Sequence, residues 1–261
     1  MKRNIRIVFF FLFILSAVGC TRKGLSFDMA GIHRYEQGCD SLQSAVCASV
    51  NLRYPVFKGE DQKAVAEADS LVKVVLYGDM DNAEMLCTRF FARWGMVRDS
   101  LSIDSCTQNG EHIHDEDEFP APWYYNAVLE ADGVRGKWMS FRYRVTTNSP
   151  FGVVHSPAKY YTIDRQTGVL ISAGEAFADT LELRRMLTRV FLQQAGATNG
   201  IPLAEQGINL PADGFLPLTN DFALGADGAT FNYDMNKIAP NILPDGDVFL
   251  PENMVSSLYK L

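Results

Sequence analysis

The strongest constraint on the fold lies at Thr180–Gln194. Leu183, Met186, Leu187, Val190 and Phe191 recur there at helical spacing and make one apolar stripe. A strand-turn-strand pattern precedes it at Tyr160–Ile171, and another follows at Phe222–Tyr233. A helix with one apolar side needs a partner, and a sheet with one apolar face needs a cover. The pattern therefore predicts this helix laid across that sheet. The expected class is α+β, with antiparallel or mixed sheets covered by helices in two closely packed subdomains. Apolar residues make up 47% of the chain, which excludes disorder over its bulk.

The N-terminus is set aside before fold reasoning. Lys2, Arg3 and Arg6 precede an apolar core, Ile7–Leu15. Ser16-Ala17-Val18-Gly19-Cys20 then resembles a bacterial lipobox. Residues 1–19 are expected to be a lipoprotein signal peptide, and Cys20 the lipidated first mature residue. An ordinary secretory signal and an uncleaved anchor are the alternatives, although the apolar core is shorter than the ~20 residues a span requires. The implied location is the bacterial cell envelope, lipid-anchored at the outer membrane, facing either the periplasm or the outside.

Residues 1–20 carry three basic and no acidic groups, so the net charge of −7 becomes −10 on processing. That balance argues against nucleic acid and against a direct hold on anionic lipid, and favours a basic partner slightly. Membrane contact would come through the lipid alone.

With Cys20 assigned to lipid, Cys39, Cys47, Cys87 and Cys106 remain. An even number in an exported protein predicts two disulfides, with three pairings open. One disulfide is the weaker alternative, and a metal site has no CxxC spacing to support it.

In chain order, residues 20–35 read as a tether and 36–106 as a small N-terminal subdomain. The latter holds a strand near Cys47–Phe57, a helix over 61–77 and a second helix to Trp94, closed by Gly95. Asp81 and Glu84 suggest the second helix's cap, and Asp99–Ser105 suggests a short strand. Residues 107–122 read as an acidic linker loop. Its His112 and His114, with the carboxylates of 111–118, are a weak metal candidate beside the plainer solvated loop. Residues 123–261 form a C-terminal domain with strands at Trp123–Glu130 and Lys137–Thr146, a turn at Arg165–Gly168 and a hairpin around Asp227-Gly228. A long connection fills 195–218, and a terminal helix is expected from Glu252.

These residues resemble a known pattern, the RsiV-like domain of unknown function, also the accessory part of PdaC-type peptidoglycan deacetylases. Trp123-Tyr124-Tyr125-Asn126 opens it. Tyr161-Thr162-Ile163-Asp164 with Thr167-Gly168 is similar to its FD..TG turn, and Glu175-Ala176-Phe177 to its DLF element. Phe222-Ala223-Leu224 with Phe231-Asn232-Tyr233 matches its later hairpin. Asn236–Pro240 followed by Val248–Pro251 resembles YEIAPY…V.IPY. Leu52-Arg53-Tyr54-Pro55 is similar to a strand of the smaller domain that precedes it. The family's GGAH run is only partly present at Phe151–His155. The resemblance implies a mixed α/β envelope protein. One relative, a membrane anti-sigma factor, binds lysozyme through this domain. In the deacetylases the chemistry belongs to a separate domain.

Hydrolase elbow, P-loop, dinucleotide fingerprint and zinc-protease motif are all absent from the sequence. The expectation is a non-catalytic lipoprotein without cofactor or metal, binding a lysozyme-like basic protein or a peptidoglycan or other glycan ligand. A cell-wall hydrolase or its inhibitor, and a structural envelope subunit, are the alternatives. Trp123, Tyr124, Tyr125 and His155 are the candidate ligand surface. Trp138 belongs to the same aromatic group, for which the core of a twisted sheet is the plainer reading.

Overall fold

The computed structural model describes residues 24–36, 48–104, 123–149, 152–240 and 246–260. Its first sheet has six strands: β1 (Ser26–Tyr35), β2 (Ser49–Lys58), β3 (Tyr124–Arg135), β4 (Trp138–Ser149), β5 (Gly152–His155) and β6 (Lys159–Asp164). They run in the order β1-β2-β3-β4-β5, and β6 shares the outer edge of β4 with β5. Only β2 and β3 pair in parallel, Ser49 opposite Tyr124; the other pairs are antiparallel. The helices α1 (Gln62–Tyr77) and α2 (Ala83–Asp104) lie in the chain between the two strands of that parallel pair, and α1 packs on both.

A second sheet has three antiparallel strands, β7 (Phe222–Leu224), β8 (Gly228–Asn232) and β9 (Asp247–Pro251). The single turn α3 (Ala173–Ala176), the long α4 (Thr180–Gln194) and the single turns α5 (Met235–Ile238) and α6 (Glu252–Val255) accompany it. The class is thus α+β, with two sheets each flanked by helices.

Local chemistry explains the helix bounds. Asp61 accepts the N–H groups of Lys63 (2.9 Å) and Ala64 (3.3 Å), and so starts α1. Ala64, Ala68, Val72 and Leu76 then bury one face every fourth residue, and Gly78 closes the helix at positive φ. In α4, Asp179 caps Glu182 N–H at 2.9 Å, and Leu183, Leu187 and Phe191 are wholly buried. Each such side chain contributes about 2 kcal/mol of burial. Thr188 shares that face because its hydroxyl donates to Arg184 O and accepts Leu216 N–H, both at 2.8 Å.

The turn after β6 meets α1 closely. Asp164 accepts Gln166 and Thr167 N–H groups, and Gly168 sits at φ 74°. A Cβ on Gly168 would overlap the Ala64 carbonyl, so glycine is required by both dihedral and contact.

Several expectations are corrected. The tether span 20–35 contains β1, a ten-residue edge strand hydrogen-bonded to β2. Asn82, not Asp81, caps α2, accepting Met85 N–H at 3.0 Å. That helix passes through Gly95 and takes up residues 99–104, where a strand was expected. Trp94 holds it there: its indole is fully buried, donates to Glu36 at 2.7 Å and lies 4.9 Å from Trp123. That contact outweighs the ~1 kcal/mol penalty of one helical glycine. α4 covers β9 and the three-stranded sheet, whereas β6 belongs to the other sheet. The expected strand after Gly168 is reduced to one bridge, Ile163 to Leu170. The terminal helix is a single turn followed by a 3₁₀ turn, Ser256–Leu258.

The disulfide expectation is also overturned. Among the described residues no two sulfurs lie at bonding distance, and Cys87 is a free, buried thiol on α2. Burial, and secondarily Glu84, push that thiol above its ordinary value. Leu86, Leu76 and Val50 share its apolar cluster. Cys20, Cys39, Cys47 and Cys106 lie outside the described residues, as do the signal segment and the acidic loop 111–118.

Candidate functional site

The two sheets meet along a polar seam. Ser140 on β4 and Thr162 on β6 are buried, with their hydroxyls 2.9 Å apart. Ser140 Oγ accepts Leu224 N–H at 2.8 Å, and Thr162 Oγ1 donates to Phe222 O at 2.7 Å. The backbone of β7 is therefore fastened by side chains of the other sheet. Gly133, at a bulge in β3, lets the strand approach Gly225; a Cβ there would lie 2.7 Å from the Gly225 Cα. Arg135 closes this end. Its guanidinium pairs with Glu252, donates to Gly225 O at 3.0 Å and stacks 4.1 Å from the Tyr259 ring centroid.

At the other end the seam becomes acidic and opens. Tyr160 joins two carboxylates. Its N–H donates to Asp221 Oδ1 at 2.6 Å, and its hydroxyl donates to Asp247 Oδ2 at 2.7 Å. Asn232 holds the other Asp247 oxygen at 2.7 Å. Burial pushes the Asp221 carboxyl up to about 6, against the opposing pull of the Tyr160 N–H and Lys159. Burial likewise raises Asp132, which lies 3.8 Å from Arg142 Nε. Arg142 and Arg144 both donate to Glu130, at 3.0 and 2.6 Å.

Beside Asp221 lies a cleft of about 1170 Å³. Its walls are the β5–β6 connection at 156–159, the run into β7 at 217–221 and the segment 232–238 that carries α5. Asn220, Asp221, Asn232, Asp234 and Asn236 supply amide and carboxylate groups, and Tyr233 and Met235 supply apolar surface. Asp234 pairs with Lys237 at 3.0 Å and accepts Asn236 N–H at 3.2 Å, which together hold its carboxyl below the ordinary range. The arrangement offers several neutral donors and acceptors around a half-buried carboxyl. It suits an extended polar ligand with hydroxyl or amide groups. Among the described residues, no group of three or more His, Cys, Asp or Glu has metal-binding geometry.

The structure does not gather the four aromatic and histidine candidates. Trp123 is buried and Tyr125 half-buried, both toward α2, with Phe90 at 5.8 and 6.1 Å. Tyr124 alternates to the other sheet face, opposite Asn148. His155 is exposed on β5, its Nδ1 3.1 Å from Thr146 Oγ1. Trp138 is a core residue near Tyr259. None of these lines the seam cleft. Sequence inspection passed over Asp221 and Asp247. Their only signal was a carboxylate directly before an apolar run, at Phe222 and at Val248.

Two solved structures share this architecture. A DUF3298 family member from Bacteroides fragilis superposes with a TM-score of 0.61 at 16% identity, covering 92% of this chain and 96% of that one. A DUF3298 family protein from Pseudomonas aeruginosa gives 0.51 at 13% identity, with the same coverage of each chain. The chain has the fold of the DUF3298 proteins. No family model matches its sequence, and no curated protein matches it. At these identities the DUF3298 likeness fixes the architecture over nearly the whole chain, and does not fix a ligand.

Proposed function

We propose that this is a non-catalytic, lipid-anchored envelope protein that holds an extended polar cell-wall ligand, a glycan strand or its peptide stem, in the seam cleft. The observation that carries this is the cleft itself, about 1170 Å³ edged by Asn220, Asn232, Asn236, Asp221 and Asp234. Neutral amides pair with sugar hydroxyls and peptide groups without the desolvation cost of full charges. The leader-like N-terminus and the RsiV-like pattern are consistent with the same compartment. Calorimetric titration with soluble peptidoglycan fragments tests it. Binding is expected, and N236A, an exposed side chain on the cleft rim, should weaken it about tenfold. An absence of heat at millimolar fragment would reject the assignment.

A lysozyme-like basic protein is the second reading, favoured by the net charge of −10 expected once residues 1–20, with three basic and no acidic groups, are set apart from the −7 of the full chain. It predicts micromolar or tighter association that weakens as salt rises. The hydrolase alternative is supported by one feature, the raised carboxyl of Asp221 in a cleft. Fragment turnover abolished in D221N would favour it; intact fragments after prolonged incubation with the unaltered protein would count against it.

A further inference from the structure

We propose that a second cleft, between the C-terminal end of α1, α2 and strands β3 and β4, binds a small aromatic carboxylate. It lies away from the seam and stands independently of the cell-wall assignment. Its volume is about 660 Å³, within the range that encloses a small organic ligand. Phe90, Trp123, Tyr125 and Tyr143 make flat walls. Phe90 sets the spacing, with its ring centroid 5.8 Å from Trp123 and 6.1 Å from Tyr125. Rings presented this way favour another flat ring by offset or edge contact.

The charge at this cleft is opposite to that of the chain. Arg89 and Arg93, one helical turn apart on α2, both reach it and are exposed. Asp79 is the acidic residue among the lining groups; it faces Arg89 at 3.4 Å, both side chains being mostly exposed. Arg93 has no ion-pair partner among the described residues. A planar carboxylate fits a guanidinium fork, and an incoming one would complete the charge balance that Asp79 leaves half met. Tyr77 and Tyr143 add no competing anion. Burial, with help from neighbouring tyrosines, pushes the Tyr77 hydroxyl up to about 12 and Tyr143 higher still.

Trp123 is 5% exposed, and among the described residues its indole N–H has no hydrogen-bond partner. That nitrogen is itself fully buried, so the indole serves the cleft as a flat wall and not as a donor. The flat ring and the anion thus define one chemical class.

The test is an NMR titration of the mature protein with N-acetyl-L-phenylalanine, run beside its uncharged amide. The acid should shift the Trp123 indole N–H resonance and the amides of Arg89 to Arg93. Its affinity should exceed that of the amide at least tenfold, and fall by a similar factor in the R89A/R93A double variant. Both arginines are solvent-exposed, so the variant should keep its circular dichroism spectrum and melting temperature. Equal binding of acid and amide, undiminished binding to the double variant, or an unmoved Trp123 resonance would each overturn the proposal.

Discussion

The layer beneath α4 and the seam between the sheets are both buried, yet they are held by opposite means. Beneath α4, Phe177, Phe222 and Phe231 pack with centroids 5.6 to 6.2 Å apart, joined by Leu183, Leu187 and Leu250. At the seam, Ser140, Thr162, Tyr160 and Asp221 join the sheets through hydroxyls, a carboxylate and backbone groups. The apolar layer gains free energy without regard to direction, whereas the seam bonds gain little net energy but fix relative position. The consequence is functional. A cleft formed where two sheets meet keeps its shape only if the joint has one geometry, and the directional bonds supply that.

The contrast can be broken most forcefully in the apolar layer. Phe231→Ala should destabilise the fold by about 4 kcal/mol in urea titration, because the ring is wholly buried among other rings. Loss below 1 kcal/mol would show that this layer is not what holds the second sheet. Next in size is Ser140→Ala. It leaves Leu224 N–H without its acceptor in a buried place, at a cost of about 2 kcal/mol. It should also disturb amide signals on β7 more than those on α4. An effect spread evenly over both regions would remove the distinction.

The smallest effect concerns pH. The folded-state value of Asp221 is raised, so between about pH 4 and 6 the folded chain holds more protons than the unfolded one. Stability from this group is therefore greatest at the acid end of that window, and it falls as pH rises through about 6. D221N keeps an oxygen for the Tyr160 N–H and removes the titration. It should flatten the melting-temperature profile over that window and stabilise by about 1 kcal/mol at pH 7, a figure reduced for the group's partial exposure. Parallel profiles for the two proteins would contradict the assignment.

Much of the helix layout was legible in the residues, because a cap, an apolar period and a terminator coincide. α1 has Asp61 and Gly78 at its ends, and α4 has Asp179 before an unbroken stripe. β1 was hidden because its residues alternate weakly and include Gly31, and its pairing to β2 spans the chain between them. Gly95 misled for the reverse reason, since the tertiary contact of Trp94 overrode a local breaker. Counting cysteines misled because parity says nothing of distance. Cys87 is aimed into an apolar cluster by its helix, and a bridge needs two Cα atoms within about 7 Å. The seam was beyond sequence inspection. Its bonds join residues 84, 61 and 60 positions apart, and nothing in the local pattern marks Ser140 or Asp221 as partners of β7 and β6.

The seam is proposed to present a preformed cleft for a cell-wall ligand. The most direct measurement of this is a residue-resolved amide NMR titration with a purified disaccharide-peptide fragment of peptidoglycan. Saturable shifts confined to 156–159, 217–221 and 232–238 are expected, with little change on α4. Shifts concentrated elsewhere on the molecule, or none across that cleft at saturating fragment, would contradict it.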